Sequence, residues 1–448
     1  MAESQHDERG RKLVHVAFGG CALALRYLSW WQASILAVGA LAFNLIVLPR
    51  VAPQLYRPGE RTASARSGIV LYPVAVLLLV LVFSSRLDIA AAAWAILAVG
   101  DGMATIAGRR FRWIPLPWNR AKSLAGSLAL FLAGGLAGAL AAWWCRPNVS
   151  PAPDPWFSIA APFAAALVAA FVETIPIRLD DNLSVPASAA AVLGALSLVR
   201  EDLIGPAMAT VGNAILPAAT ANLVVAWLGY RARTVTAAGA VAGGIIGTTI
   251  AVTAGWPGWT LLLATFLAAA ASSRLGLRRK MHLGIAEERG GRRGVGNAVA
   301  NTGLATVAAV LSIVALPREM ALLAFVTALA AGGSDTIASE IGKAWGRRTW
   351  IVPSFRRVAP GTTGAMSLEG TVAGVVGAAA LGLLAIWMGL VPPSALAAVV
   401  AGATIGSLAE SLLGAALEAP GILNNDVLNF LNTSIAAGAA ILVARAAG

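Results

Sequence analysis

Charged side chains are scarce in this sequence. Asp, Glu, Lys and Arg make up 12% of its 448 residues, about half their share in a soluble domain, which excludes an ordinary water-soluble fold. Cysteine is scarcer still. Cys21 and Cys145 are the only two, too few and too apolar in context for a disulfide framework or a thiolate metal site, so both read as free thiols at helix ends. The Gly-x-x-x-x-Gly-Lys-Ser/Thr spacing of a phosphate-binding loop is missing, which removes that route to a nucleotide. A cleavable signal peptide is not expected either, because His15 interrupts the first apolar run and no small-residue cleavage site precedes the next.

What the chain has is hydrophobicity in long runs: 58% of residues are apolar and the mean hydropathy is +0.76. After a charged leader at 1–12, apolar runs fall at 13–25, 30–48, 68–83, 89–108, 124–144, 157–177, 185–199 and 207–230. They continue at 235–254, 259–273, 295–316, 321–341, 370–388, 395–417 and 427–443. This pattern predicts an all-α polytopic integral membrane protein with about 15 transmembrane helices.

An internal echo organises those helices. Gly100 to Ser127, GDGMATIAGRRFRWIPLPWNRAKSLAGS, carries Asp101, Gly108, Arg109 and the run Ser123-Leu124-Ala125-Gly126-Ser127. Near the other end come Asp335, Gly342, Lys343 and Ser367-Leu368-Glu369-Gly370-Thr371. The repetition predicts two sites. Seven helices before a linking helix and seven after it would give two parallel repeats: a domain at 1–200, a linker at 201–233 and a second domain at 234–448. On that topology 27 of the 33 Lys and Arg lie in loops of one face, which makes that face cytoplasmic, in a membrane of the bacterial inner type. The net charge of +12 is then a topological signal, and no nucleic-acid partner is expected.

The acids carry the expected chemistry, because an ionisable group within an apolar helix is expensive and faces an interior, a cavity or a partner. Asp101, Glu173 and Asp181 in the first half, and Asp335, Glu410 and Asp426 in the second, are hard oxygen ligands suited to Mg2+, which shares its sites with phosphates. Each set lies beside a basic loop able to bind a polyphosphate. Ser123 and Ser367 are placed to cap helices, with Gly126 and Gly370 allowing close approach to an anion. His15, after Arg11 and Lys12, is a candidate contact for a nucleotide or a hydroxyl proton.

At these residues a resemblance enters. Residues 9 to 200 resemble the phytol kinase branch of the dolichol kinase family of CTP-dependent prenyl alcohol kinases, through Arg11-Lys12 with His15, GDGMATIAGRRF, NRAKSLAGS and ETIPIRLDDNLSVP. Residues 272 to 445 resemble the membrane family that contains plant phytyl-phosphate kinase, through GIAEERGGRRGVGNAVAN, SDTIASEIGKAWGRRTW, PGTTGAMSLEGTVAG and GSLAESLLGA. The resemblance implies a fusion: the first half phosphorylates an isoprenoid alcohol such as phytol or geranylgeraniol, and the second phosphorylates the monophosphate. It implies CTP as donor and lipid acceptors drawn from the bilayer. Asp101, Lys122, Asp181, Asp335 and Glu340 are then the catalytic candidates. Arg11, Lys12, His15, Arg109, Ser123, Gly126, Asn182, Lys343, Arg347, Gly364, Ser367, Glu369 and Gly370 are the candidates for binding nucleotide or phosphate. A cytidylyltransferase acting on a lipid, and a transporter built from parallel repeats, remain the alternatives.

Overall fold

The structure, a computed structural model, describes residues 17–51, 68–111, 114–285, 292–352 and 354–447. It divides into two compact units, Met1–Ser197 and Leu198–Gly448, and each is taken by itself.

The first unit holds the helices α1 (Ala17–Arg26), α2 (Trp30–Val51), α3 (Gly68–Val82), α4 (Leu87–Arg110), α5 (Leu124–Asn148), α6 (Pro155–Glu173) and α7 (Asp181–Leu196). Its core is alanine-rich, from Ala90 to Ala93 on α4 through Ala165, Ala166 and Ala169 on α6 to Ala189 on α7. Small side chains suit a bilayer, where helices associate through close packing because lipid is as apolar as the core. The α4–α5 crossing is close. A Cβ on Gly100 would lie 3.3 Å from the Cα of Gly134, and both helices widen into a π-helical turn there, at Ile96–Asp101 and Leu130–Gly134. Asp101 closes the first of these, a distortion frequent at functional sites.

The second unit holds α8 (Glu201–Arg231), α9 (Ala237–Thr253), α10 (Gly255–Arg274), α11 (Leu277–His282), α12 (Val295–Val314), α13 (Arg318–Trp345), α14 (Leu368–Trp387), α15 (Pro393–Glu418) and α16 (Asn425–Ala447). The 28-residue α13 is its axis, and Phe325 to Ala331 are fully enclosed. Elsewhere Leu216, Leu223, Ile245, Val376 and Leu442 are exposed, as expected of helices whose solvent is lipid and whose backbone polar groups are satisfied internally.

Two expectations change. Of the fifteen crossings, ten are carried by helices long and apolar enough to span a membrane among the described residues; α1, α3 and α9 are shorter apolar helices. The basic segments expected as plain loops are partly ordered. β1 (Pro115–Leu116) and β2 (Asn119–Ser123) form a hairpin, and β3 (Thr349–Ile351), β4 (Arg356–Arg357) and β5 (Ala365–Ser367) a small sheet in the order β4-β3-β5. Apolar runs reveal helices by length, whereas such short polar strands carry almost no periodicity to read.

Candidate functional site

In the first unit, Asp101 from within α4 meets Glu173 at the end of α6 and Asp181 at the start of α7, with one carboxylate oxygen of each within 4.8 Å of the others. Asp101 is 6% exposed and Glu173 7%. Lys122 reaches in from β2: its Nζ donates to Glu173 Oε1 at 2.6 Å and to Asp181 Oδ2 at 2.9 Å. Burial acts to lower the Lys122 pKa, but the adjacent Glu173 and Asp181 carboxylates outweigh it and hold the ammonium above its ordinary value, so it stays charged through neutral pH.

The hairpin aims this lysine. Trp118 Nε1 donates to Thr174 Oγ1 at 3.1 Å and Asn119 Nδ2 to the Thr174 carbonyl at 3.1 Å, which pins the strand beside Glu173. Asp180 caps α7, accepting from the backbone and side-chain nitrogens of Asn182 at 2.9 and 2.7 Å. The other side-chain atom of Asn182, Oδ1, is buried without a partner. Three carboxylates are a hard oxygen donor set, with the orphaned amide oxygen on the residue after Asp181, and the residues present fit a divalent cation such as Mg2+.

Ser123 caps α5, its Oγ accepting from Gly126 N–H at 3.2 Å. A Cβ on Gly126 would lie 3.1 Å from the Ala104 carbonyl oxygen, and one on Gly108 3.2 Å from Ser123 Oγ. These glycines therefore hold α4 against α5. Arg109 ends α4. Arg11, Lys12 and His15 lie outside the described residues.

The second unit repeats part of this geometry. Ser367 caps α14 by accepting from Gly370 N–H at 3.0 Å. Gly370 packs on the Ala338 carbonyl and Gly342 on Ser367 Oγ, so Gly342, Ser367 and Gly370 make among themselves the contacts made by Gly108, Ser123 and Gly126. The charges are arranged differently. Asp335 on α13 is within hydrogen-bonding reach of Glu410 on α15 and of Ser407, and Glu410 Oε2 accepts from Asn432 Nδ2 at 2.5 Å.

Asp426 does not complete a trio with Asp335 and Glu410. Asp101, Glu173 and Asp181 are the one group of three such ligands among the described residues, and Asp426 sits instead against Gly296 on α12. Glu340, expected to be catalytic, is 1% exposed and lies between two lysines. Lys280 Nζ bonds its Oε2 and Lys343 Nζ donates to its Oε1 at 2.9 Å, so the structure makes Glu340 a buried counterion. The chain placed it beside Lys343 but gave no sign of Lys280, 60 residues earlier, whose ammonium also donates to the Ser273 carbonyl at 2.7 Å. Glu369 faces the backbone of Arg347 and Arg348 in the basic turn, and its Oε2 is buried without a hydrogen-bond partner. Gly364 has φ +73° and packs on the backbone of Ala415; its role here is a left-handed turn.

Asn432 is a further polar partner that the sequence motifs do not mark. Asn429, Asn432 and Thr433 are buried on α16, and polar residues recurring at helical spacing within an apolar run are the signal that could have found them.

Residues 220–437 match the family described as integral membrane protein DUF92. An uncharacterized membrane protein of Synechocystis sp. is 36% identical over 201 residues, 44% of this chain and 78% of that protein. The chloroplastic protein VTE6 of Arabidopsis thaliana is 36% identical over 214 residues, 46% of this chain and 64% of that protein. A probable chloroplastic phytol kinase of Triticum aestivum is 37% identical over 137 residues, 29% of this chain and 44% of that protein. The chain thus spans less than two thirds of VTE6 and of the wheat kinase. No solved structure matches. The fold is a helical membrane protein with many candidate spans, in which three carboxylates from different helices gather in the first unit. The chain belongs to the DUF92 integral membrane family and is related to proteins named phytol kinase.

Proposed function

We propose that this chain is a membrane kinase of isoprenoid lipids with two sites. The first unit transfers a phosphoryl group from CTP or another nucleoside triphosphate to a prenyl alcohol, and the second transfers another to the monophosphate. The observation that carries this reading is the meeting of Lys122 with Glu173 and Asp181 beside Asp101. A cation set among carboxylates, carried by a hairpin against apolar helices in a lipid-soluble protein, suits a reaction between a bilayer alcohol and an aqueous polyphosphate. The likeness to proteins named phytol kinase supports it, as does the pattern of contacts among Gly108, Ser123 and Gly126 that recurs among Gly342, Ser367 and Gly370. The concentration of Lys and Arg on one set of loops supports a cytoplasmic orientation for both sites.

Phosphoryl transfer asks a protein mainly for positioning and charge neutralisation. The alcohol oxygen bonds to the terminal phosphorus as the bond to the nucleoside diphosphate breaks, and the hydroxyl proton passes to Asp101. Lys122, kept protonated by Glu173 and Asp181, faces the charge spreading over the transferred group. Asp101, Glu173 and Asp181 would hold Mg2+, which supplies charge neutralisation on the donor phosphates when bound. In the second unit Asp335, with Glu410 and Asn432 behind it, takes the place of Asp101, and Lys343 supplies the nearby cation.

The test is incubation of the purified full chain with Mg2+ and CTP labelled at either the α or the γ phosphorus. Phytol, geranylgeraniol or farnesol is the acceptor, and mono- and diphosphate are separated. Label from the γ position alone should enter both products. Label from the α position in a lipid product means cytidylyl transfer, and no labelled lipid with any nucleoside triphosphate overturns the kinase reading.

A further inference from the structure

We propose that Asp335, Glu410 and the side-chain oxygen of Asn432 form a divalent-cation site in the second unit that is one carboxylate short, and that the phosphate of a prenyl monophosphate is the ligand that completes it. This rests on the kinase reading of the Asp335 region and adds to it how the acceptor's phosphate is recognised.

Asp335 of α13 is within hydrogen-bonding reach of Glu410 of α15. Two carboxylates so close repel unless a positive species stands between them, a proton or a metal ion. Lys343 is not that species, because its Nζ is held by Glu340 Oε1 at 2.9 Å. Asn432, 1% exposed, meets the pair from a third helix, α16. Its Nδ2 donates to Glu410 Oε2 at 2.5 Å, and its Oδ1, on the same amide carbon, is buried without a hydrogen-bond partner. That oxygen lies over α15, where a Cβ on Gly406 would come within 2.5 Å of it. Gly406 is one turn before Glu410 and next to Ser407, itself within reach of Asp335. A buried amide oxygen with no donor costs about 1–3 kcal/mol, and a cation shared with the neighbouring carboxylates removes that cost. There is room beside them: a cavity of about 20 Å3 is lined by Ser334, Ala338, Thr371 and Ser407, enough for one water or small ion.

The first unit shows what is missing. There three carboxylates, of Asp101, Glu173 and Asp181, stand together. Here the third group is a neutral amide, and Asp426, the acid that α16 does carry, sits against Gly296 instead. The affinity of an oxygen site for a divalent cation rises with the number of charged ligands, so two carboxylates and an amide hold the ion loosely. On the two-step reading the nucleotide donor is common to both sites, and what differs is the acceptor. An alcohol brings no charge to the first site. A monophosphate brings to the second the anionic oxygens that the second lacks. The same shortage refuses an alcohol there, since an alcohol leaves the ion incompletely held.

The experiment counts Mn2+ bound to the full chain in nanodiscs by electron paramagnetic resonance at fixed free Mn2+. Farnesyl monophosphate, farnesol, inorganic phosphate and the β,γ-methylene analogue of CTP are separate arms. The wild type should hold one Mn2+ without lipid. Farnesyl monophosphate should tighten a second about tenfold or more, the scale of one added charged ligand, and farnesol should not. Asp101→Asn should keep this lipid-dependent Mn2+, and Asp335→Asn should lose it. Asn432→Asp supplies the third carboxylate and should hold the second Mn2+ without lipid. Equal tightening by inorganic phosphate at the same concentration overturns the proposal, since the lipid is then not what the site recognises. So does a second Mn2+ that follows the CTP analogue and not farnesyl monophosphate, because the missing ligand is then the donor's. An Asn432→Asp protein that elutes as the wild type does and still needs lipid overturns it too. A count fixed at one in every arm means that Asp335 and Glu410 share a proton, and the cation site is lost. If the lipid-dependent Mn2+ appears but no diphosphate forms with any nucleotide, the kinase reading fails and the cation site stands. If diphosphate forms while the count stays at one, the reverse holds.

Discussion

The ammonium of Lys122 stands 2.6 Å from the carboxylate of Glu173, although 51 residues separate them and they belong to a hairpin and a helix end. Neither group is stable there alone: Glu173 is 7% exposed, and a buried charge stripped of its partner is strongly destabilising. Lys122→Met should therefore slow formation of the monophosphate by about 100-fold or more, the scale of losing one preorganised electrostatic contact to the transition state. Phosphorylation of supplied monophosphate should continue. Rates for the two steps, measured separately on protein that elutes as the wild type does, check this; equal loss of both steps would point to a single composite site.

Asp101→Asn should abolish the first transfer and spare the second. The change is nearly isosteric and removes a charge from an apolar helix, so the fold should persist. It should also weaken Mn2+ binding, read by electron paramagnetic resonance without substrate. Unchanged Mn2+ affinity together with an intact first step would sink the assignment.

Asp335→Asn should leave the protein stopping at the monophosphate. On the proposed reaction the acceptor is already anionic, so neutralisation matters more, and losing one carboxylate of a pair that would hold a cation costs several kcal/mol of transition-state stabilisation. Thin-layer separation of products is the readout. Diphosphate at the wild-type rate means that Asp335 has no catalytic role.

Glu340 should behave as a structural residue. Glu340→Gln leaves Lys280 and Lys343 without their shared counterion and should destabilise the second unit by about 3–5 kcal/mol. The double change Glu340→Leu with Lys280→Met should restore part of the loss. Thermal unfolding in detergent measures both; a variant as stable as the wild type but inactive in the second step would return Glu340 to the catalytic group.

Single cysteines in the β1–β2 hairpin and in the β3–β4 turn should react with a membrane-impermeant reagent from the same side. Cys21 is exposed and has to be replaced by Ser first, whereas Cys145 is buried. Labelling from opposite faces removes the parallel-repeat proposal.

Much of the fold could be read along the chain because the signals are local. An apolar run announces a helix by its length, so the run at 321–341 lies within Arg318–Trp345, and that at 124–144 within Leu124–Asn148. Asp101, Glu173 and Asp335 stood out because a carboxylate in an apolar run is rare and costly. Ser123 and Ser367 were legible as caps because capping depends on a residue three positions away.

Which charges meet is another kind of fact. Glu340 precedes Lys343 by three residues, yet the buried partner that makes it structural is Lys280. Asp426 follows Glu410 by a short stretch of chain, yet the residue that reaches Glu410 is Asn432, one helical turn and a half further along α16. The sequence by itself determined that this is a helical membrane protein with a few acids set in or beside its apolar helices, since bilayer insertion is decided by the composition of each segment. Only the tertiary structure decided that Asp101, Glu173 and Asp181 share one site with Lys122 while Glu340 is enclosed by lysines. Distances between helices depend on where they cross, and in this protein the crossings are set by small residues such as Gly100 against Gly134 and Gly370 against Ala338.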